Sequence, residues 1–182
     1  MAKKDFNNTV KPVAGELIAA VSSWNIAELK SLLARGVDVN ERSHGTMTAL
    51  MLASDSGYEE AVQVLIENGA DLNAQDRFGN TALILAAVSE QYTVVEMLID
   101  AGAQLDIESE NNITALKMAQ IHGAKEIAEK IERGIKNQTE RAAREAAREQ
   151  AAAEQIRQKI IAQVADPSLK RPLRVKPIVQ IK

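Results

Sequence analysis

The stretch Asp76-Arg77-Phe78-Gly79-Asn80-Thr81-Ala82-Leu83-Ile84-Leu85-Ala86 has echoes 33 residues to either side. Moving back by one step takes Thr81-Ala82-Leu83 to Thr48-Ala49-Leu50, and moving forward takes it to Thr114-Ala115-Leu116. The same step carries Gly36 to Gly69 to Gly102, Ala53 to Ala86 to Ala119, and Leu32 to Leu65 to Leu98 to Ile131. A fixed period of this length marks a stacked-repeat architecture, in which each unit buries its apolar face only against its neighbours.

Each period reads as helix, short turn, helix, glycine stop, protruding turn. Ile26, Leu29, Leu32 and Leu33 form the apolar stripe of an amphipathic helix, and Val62, Leu65 and Ile66 match Val95, Leu98 and Ile99 one step apart. Thr48, Thr81 and Thr114 stand just before apolar runs, where a hydroxyl can cap a helix. Gly36, Gly69 and Gly102 follow the last periodic residue, a position that commonly turns left-handed. Asp38-Val39-Asn40 and Asp71-Leu72-Asn73 supply side chains that bond locally to the backbone of a turn. Ala53 and Ala86 are small where first helices pack closely, and Leu50, Leu83 and Leu116 are expected to form one buried row. The ends are more polar. Glu28, Lys30 and Ser31 in the first unit stand where later units carry Ala61 or Val94, Gln63, and Val64 or Met97. In the last unit Lys130 takes the position of Val64 and Met97, and Glu132 that of Ile66 and Ile99.

These residues resemble the ankyrin repeat family. Its Thr-Pro-Leu-His motif stands here as Thr48-Ala49-Leu50-Met51, Thr81-Ala82-Leu83-Ile84 and Thr114-Ala115-Leu116-Lys117. The resemblance covers residues 13–133, in units 13–45, 46–78, 79–111 and 112–133. It implies an all-α fold: an α-solenoid of four helix-pair repeats with projecting turns. Alanine replaces the motif proline, and Met51, Ile84 and Lys117 replace the histidine, so the side-chain bond that histidine makes with threonine is expected to be lost. Thr46 and Asn112 occupy the position of Gly79, and only asparagine tolerates positive φ well there. The turn from His44 to Met47 is therefore expected to be reshaped.

The resemblance also implies a non-enzymatic protein-binding module that uses turn tips and the concave face of the first helices. Carried over by position, the contact residues are His44, Met47, Asp55 and Ser56, then Arg77, Phe78, Asn80, Val88 and Ser89. The last unit adds Glu110, Asn111, Ile113, Ile121 and His122. Arg77 and Phe78 lead this set, because an arginine beside an aromatic ring is the kind of anchor that dominates interfaces. Trp24 takes the position of Gly57 and Gly123 and is expected to be a half-buried end cap.

From Thr139 to Val164 the composition turns to alanine, glutamate, glutamine and arginine, which predicts a long helix within residues 134–165. Gly134 weakens the join to the repeats, whereas Ile127, Ile131 and Ile135 could carry one helix through it. The helix lacks large residues at every a and d position, so no stable coiled coil is expected from it alone. Residues 166–182 contain Pro167, Pro172 and Pro177 and read as an extended tail. Within it, Arg174, Val175, Lys176, Ile178 and Ile181 are candidates for linear docking. Residues 1–12 are polar and read as a flexible arm.

Residues 1–133 hold 20 acidic and 11 basic side chains, a net of −9, and residues 134–182 hold 5 and 11, a net of +6. The basic tail could therefore contact the acidic repeats, and the acidic repeats disfavour nucleic acid as a partner. With no cysteine there is no disulfide or thiolate metal site. The first twelve residues contain no apolar core of a secretory signal and no run is long enough to span a membrane, so a cytoplasmic protein is expected. His44 and His122 lie in different units without a matched carboxylate, no nucleotide or metalloprotease motif occurs, and neither an enzymatic activity nor a cofactor is expected. A protein partner of unspecified identity remains. Two variants of that reading are an inhibitor or immunity-type protein that occludes an enzyme's active site, and a bacterial secreted effector with the tail as export signal.

Overall fold

Threonine hydroxyls start the first helices of the second, third and fourth units, as the motif predicts. In the computed structural model, which describes residues 15–43 and 47–164, the Oγ atoms of Thr48, Thr81 and Thr114 accept from the backbone N–H of Met51, Ile84 and Lys117. They open α3 (Ala49–Ser56), α5 (Ala82–Val88) and α7 (Ala115–His122). The preceding first helix, α1 (Glu16–Ser22), follows Gly15 and has no such cap; instead the Glu41 carboxylate accepts from Leu17 N–H at 2.9 Å. Each first helix is followed by a second: α2 (Ile26–Ala34), α4 (Glu59–Glu67), α6 (Tyr92–Asp100) and α8 (Lys125–Val164). The stop glycines are left-handed, with φ of 81°, 81° and 92° at Gly36, Gly69 and Gly102. Among the described residues the architecture is helical except for one short antiparallel ribbon. There β1 (Arg42–Ser43) pairs with β2 (Met47–Thr48), Arg42 opposite Thr48 and Ser43 opposite Met47.

The core is the predicted spine. Leu17, Leu29, Leu50, Leu65, Leu83, Leu98 and Ile131 are fully buried, as are Ala53, Ala86 and Ala119, whose small side chains let α3, α5 and α7 lie close together. Leu116 is only partly buried, since no further first helix covers α7. At the other end Trp24, in the left-handed region at φ 55°, stacks on Tyr58 with ring centroids 4.4 Å apart and stays 56% exposed. The Tyr58 hydroxyl donates to the Trp24 carbonyl at 3.1 Å, which ties the first unit to the second.

One lost bond turns out to be partly replaced. Met51 Sδ accepts from Thr48 N–H at 3.5 Å, so the sulfur takes the place of the missing histidine in that unit. Asn112 does adopt positive φ, at 54°. No helix end falls at Gly134; of the two readings of that residue, continuity holds. A Cβ there would stand 2.9 Å from Leu105 Cδ1 and 3.1 Å from Ile99 Cγ2, so the glycine belongs to tight packing of α8 on the third unit.

The expected polar end positions also find roles. Lys130 on α8 bonds the Glu96 carboxylate on α6. That bond, followed by the nearby charges of Asp100 and Glu96, holds the lysine above its usual 10.5 although burial opposes it. A cation held above its unfolded value stabilises the fold fully below that value, and the gain is lost as pH rises through the folded one. Because Glu96 is partly exposed, the pair is worth under about 1 kcal/mol. Wild type should therefore exceed Glu96→Gln in urea stability at neutral pH, and the two curves should converge as pH is taken above 10.5.

The chain divides into two compact units, Met1–Lys136 and Asn137–Lys182. In the second, the described residues form the remainder of α8, exposed along residues 137–163 and laced by the pairs Arg141–Glu145 at 3.0 Å and Arg144–Glu140 at 3.7 Å. The expected arm at 1–12, His44, and the tail residues Arg174, Val175, Lys176, Ile178 and Ile181 lie outside the described residues.

Candidate functional site

Between the second helix of one unit and the first of the next, the chain makes a tip whose shape is set by Asp76. Its Oδ1 accepts from Phe78 N–H and Asn80 N–H, both at 2.8 Å, and its Oδ2 accepts from the Asn80 side-chain amide. The backbone closes with Asp76 N–H donating to the Asn80 carbonyl at 3.0 Å. Gln75 then spans to the next tip, donating to the carbonyls of Gly79 and Glu108. Arg42 makes the equivalent reach one period earlier, to the Gln75 carbonyl at 2.7 Å. Phe78 O accepts from Glu110 N–H at 2.9 Å. The third tip is thus held from both sides.

On this tip Arg77 and Phe78 face solvent. The guanidinium carbon lies 4.6 Å from the Phe78 ring centroid, and the ring is 50% exposed. At that distance the cation is attracted to the ring face. Asn80, beside them, is half-buried and occupied by Asp76. On the fourth tip Glu110 and Asn111 are exposed and Ile113 is half-buried. On the second, Met47 is half-buried in β2.

The first-helix candidates fall into two kinds. Asp55 and Ser89 bond each other at 2.6 Å across α3 and α5, so they join repeats as well as bordering the surface. Ser56, Ile121 and His122 are exposed, Ile121 at 63%, while Val88 is half-buried. Sequence reading missed Asp76 and Gln75, although the spacing of Asp76 to Asn80 around a glycine is a legible Asx-turn signal.

It also missed an open cleft of about 270 Å³ lined by Glu90, Tyr92, Gly123, Ala124, Lys125, Glu126 and Ile127. The same notch is filled in the earlier units. Tyr58 packs against Trp24, and the Gln91 side chain lies where a Cβ on Gly57 would be; Ala124 is too short to do either. Among the described residues no group of three His, Cys, Asp or Glu side chains is placed to hold a metal ion, and no helix is long and apolar enough to cross a membrane.

A family model described as ankyrin repeats, in three copies, matches residues 17–111. The chain belongs to the ankyrin repeat family. The match takes in α1 to α6, and the pair α7 and α8 follows it with the same threonine cap and a left-handed Gly123 at φ 72°. Ankyrin repeats are a non-catalytic fold of protein-interaction modules, which supplies the general class of partner. No curated protein matches the chain.

Proposed function

We propose that this ankyrin domain binds a protein through its turn tips and the exposed sides of α3, α5 and α7, with Arg77 and Phe78 as the anchor. The observation that carries this is a half-exposed phenylalanine on a tip whose backbone is already bonded in place. A preorganised apolar group loses little entropy on binding, so more of its burial appears as affinity. Exposed Glu108 and Glu110 lie on the adjoining tip and favour a partner with basic groups around an apolar pocket.

Affinity capture with Arg77→Glu and Phe78→Ala tests this reading against wild type. Each variant should retain at least about tenfold less of the protein that wild type captures, a loss within the range of interface hot spots. Urea stability should stay within about 0.5 kcal/mol, as expected for exposed positions. Capture equal to wild type, or a collapse in stability, would remove Arg77 and Phe78 from the site.

A further inference from the structure

Ile156 and Ile160 on the solvent-exposed part of α8 are 59% and 54% exposed, an unusual place for large aliphatic side chains four residues apart. They continue a seam with Ala142, Ala146, Glu149 and Ala153, at alternating spacings of four and three. All six are exposed. Fourteen residues separate Glu145 from Lys159, so at two heptads apart both lie on one edge of this seam.

We propose that this segment pairs antiparallel with the same segment of a second copy of the chain. The seam is complementary to its own reverse. Aligning Ala142 with Ile160 of the second copy also aligns Ala146 with Ile156, Glu149 with Ala153, and the reciprocal pairs. Each outer layer then joins one small and one large side chain, the combination that interdigitates without a void. The register that matches sizes also matches charge. It brings Glu145 beside Lys159 of the second copy, twice by symmetry, within about 3 Å along the axis at 1.5 Å per residue. Glu145 already pairs with Arg141 on its own helix, and a carboxylate with two oxygens can accept from both cations. In the middle layer Ala153 leaves the Glu149 carboxylate room to reach water.

A parallel pair lacks this fit, because it sets Ala142 against Ala142 and Ile156 against Ile156, and it brings Glu145 beside Gln150 rather than Lys159. A seam with large residues at every a and d position would favour pairing in either direction. Size matching needs only one large residue in each outer layer, and the middle pairs of Glu149 with Ala153 add none. The consequence would be a particle carrying two ankyrin modules, with the gain in avidity that two linked sites give.

Sedimentation of the full-length protein should show a concentration-dependent dimer. Glu145→Lys and Lys159→Glu should each weaken dimerisation by about tenfold, the effect of placing like charges at flanking positions. The double variant E145K/K159E should return to within about threefold of wild type, because the swapped pair is again opposite in sign. The chain has no cysteine of its own, so disulfide trapping reads out direction. Mixing Glu145→Cys with Lys159→Cys chains should yield the mixed disulfide in preference to either like pair. A monomer at concentrations of about 0.1 mM, where even a weak dimer forms, would overturn the proposal. So would single charge variants with unchanged dimerisation, a double variant that stays weakened, or like-pair disulfides in excess.

Discussion

Leu83→Ala should lower the unfolding free energy by about 2–5 kcal/mol, the range for deleting a buried leucine side chain. Leu83 is 1% exposed in α5, and its helix packs between α3 and α7. Its place in the stack puts the cost at the high end. A cavity near the end of a repeat array can be relieved by local fraying, as at the partly exposed Leu116. Ala53, Ala86 and Ala119 are fully buried on α3, α5 and α7, so these helices already lie close and little collapse can fill the void. In a linear array such a loss also weakens two interfaces at once. Urea denaturation should therefore show a lower midpoint for Leu83→Ala than for Leu116→Ala. The reverse order would mean that the spine is not the principal source of stability.

How much of this was legible follows from the range of the interactions concerned. The threonine caps, the left-handed glycines and the stripe Leu32, Leu65, Leu98, Ile131 depend on neighbours within a turn, repeated at a fixed step, and the period exposes them. One bond between units does repeat, since Asn40 Oδ1 accepts from Asp71 N–H and Asn73 Oδ1 from Gln104 N–H, but the others change their chemistry from unit to unit. Arg42 and Gln75 make the same reach to the next tip with different side chains, and Asp55 meets Ser89 at a spacing of 34 rather than 33. Such pairs depend on how far one unit is rotated against the next, a quantity that a residue pattern does not carry. Gly134 shows the same limit from the other side. Helix propensity reads it as a weak point, whereas its packing against Leu105 and Ile99 makes it a point of contact. The candidate surface rests on positions carried over by family resemblance, which says nothing of how those positions are supported. The Asx-turn spacing at Asp76 was there to be read, but the reach of Gln75 to Glu108 on the next tip was not.

That support leads to the second large effect. Gly79→Ala should cost more than Gly69→Ala, although both glycines are left-handed, at φ 77° and 81°. For either, an alanine must occupy a region costing roughly 1–2 kcal/mol. At Gly69 nothing lies within 4 Å of the added Cβ, so the penalty ends there. At Gly79 the Cβ would stand 2.8 Å from Glu110 N and 2.9 Å from Ser109 Cα. These are backbone atoms, so no side chain can swing aside, and the fourth tip has to move. That movement pulls on the bond from Glu110 N–H to the Phe78 carbonyl and on the reach of Gln75 to Glu108. The total should approach ~3 kcal/mol, since loss of a backbone hydrogen bond adds about 0.5–1.5 kcal/mol to the strain. Paired urea curves would measure the difference between the two variants. The same substitution should weaken partner capture through a displaced Phe78, while Gly69→Ala should leave capture unchanged. Equal destabilisation by the two alanines would show that the close approach of the third and fourth tips carries no energetic weight.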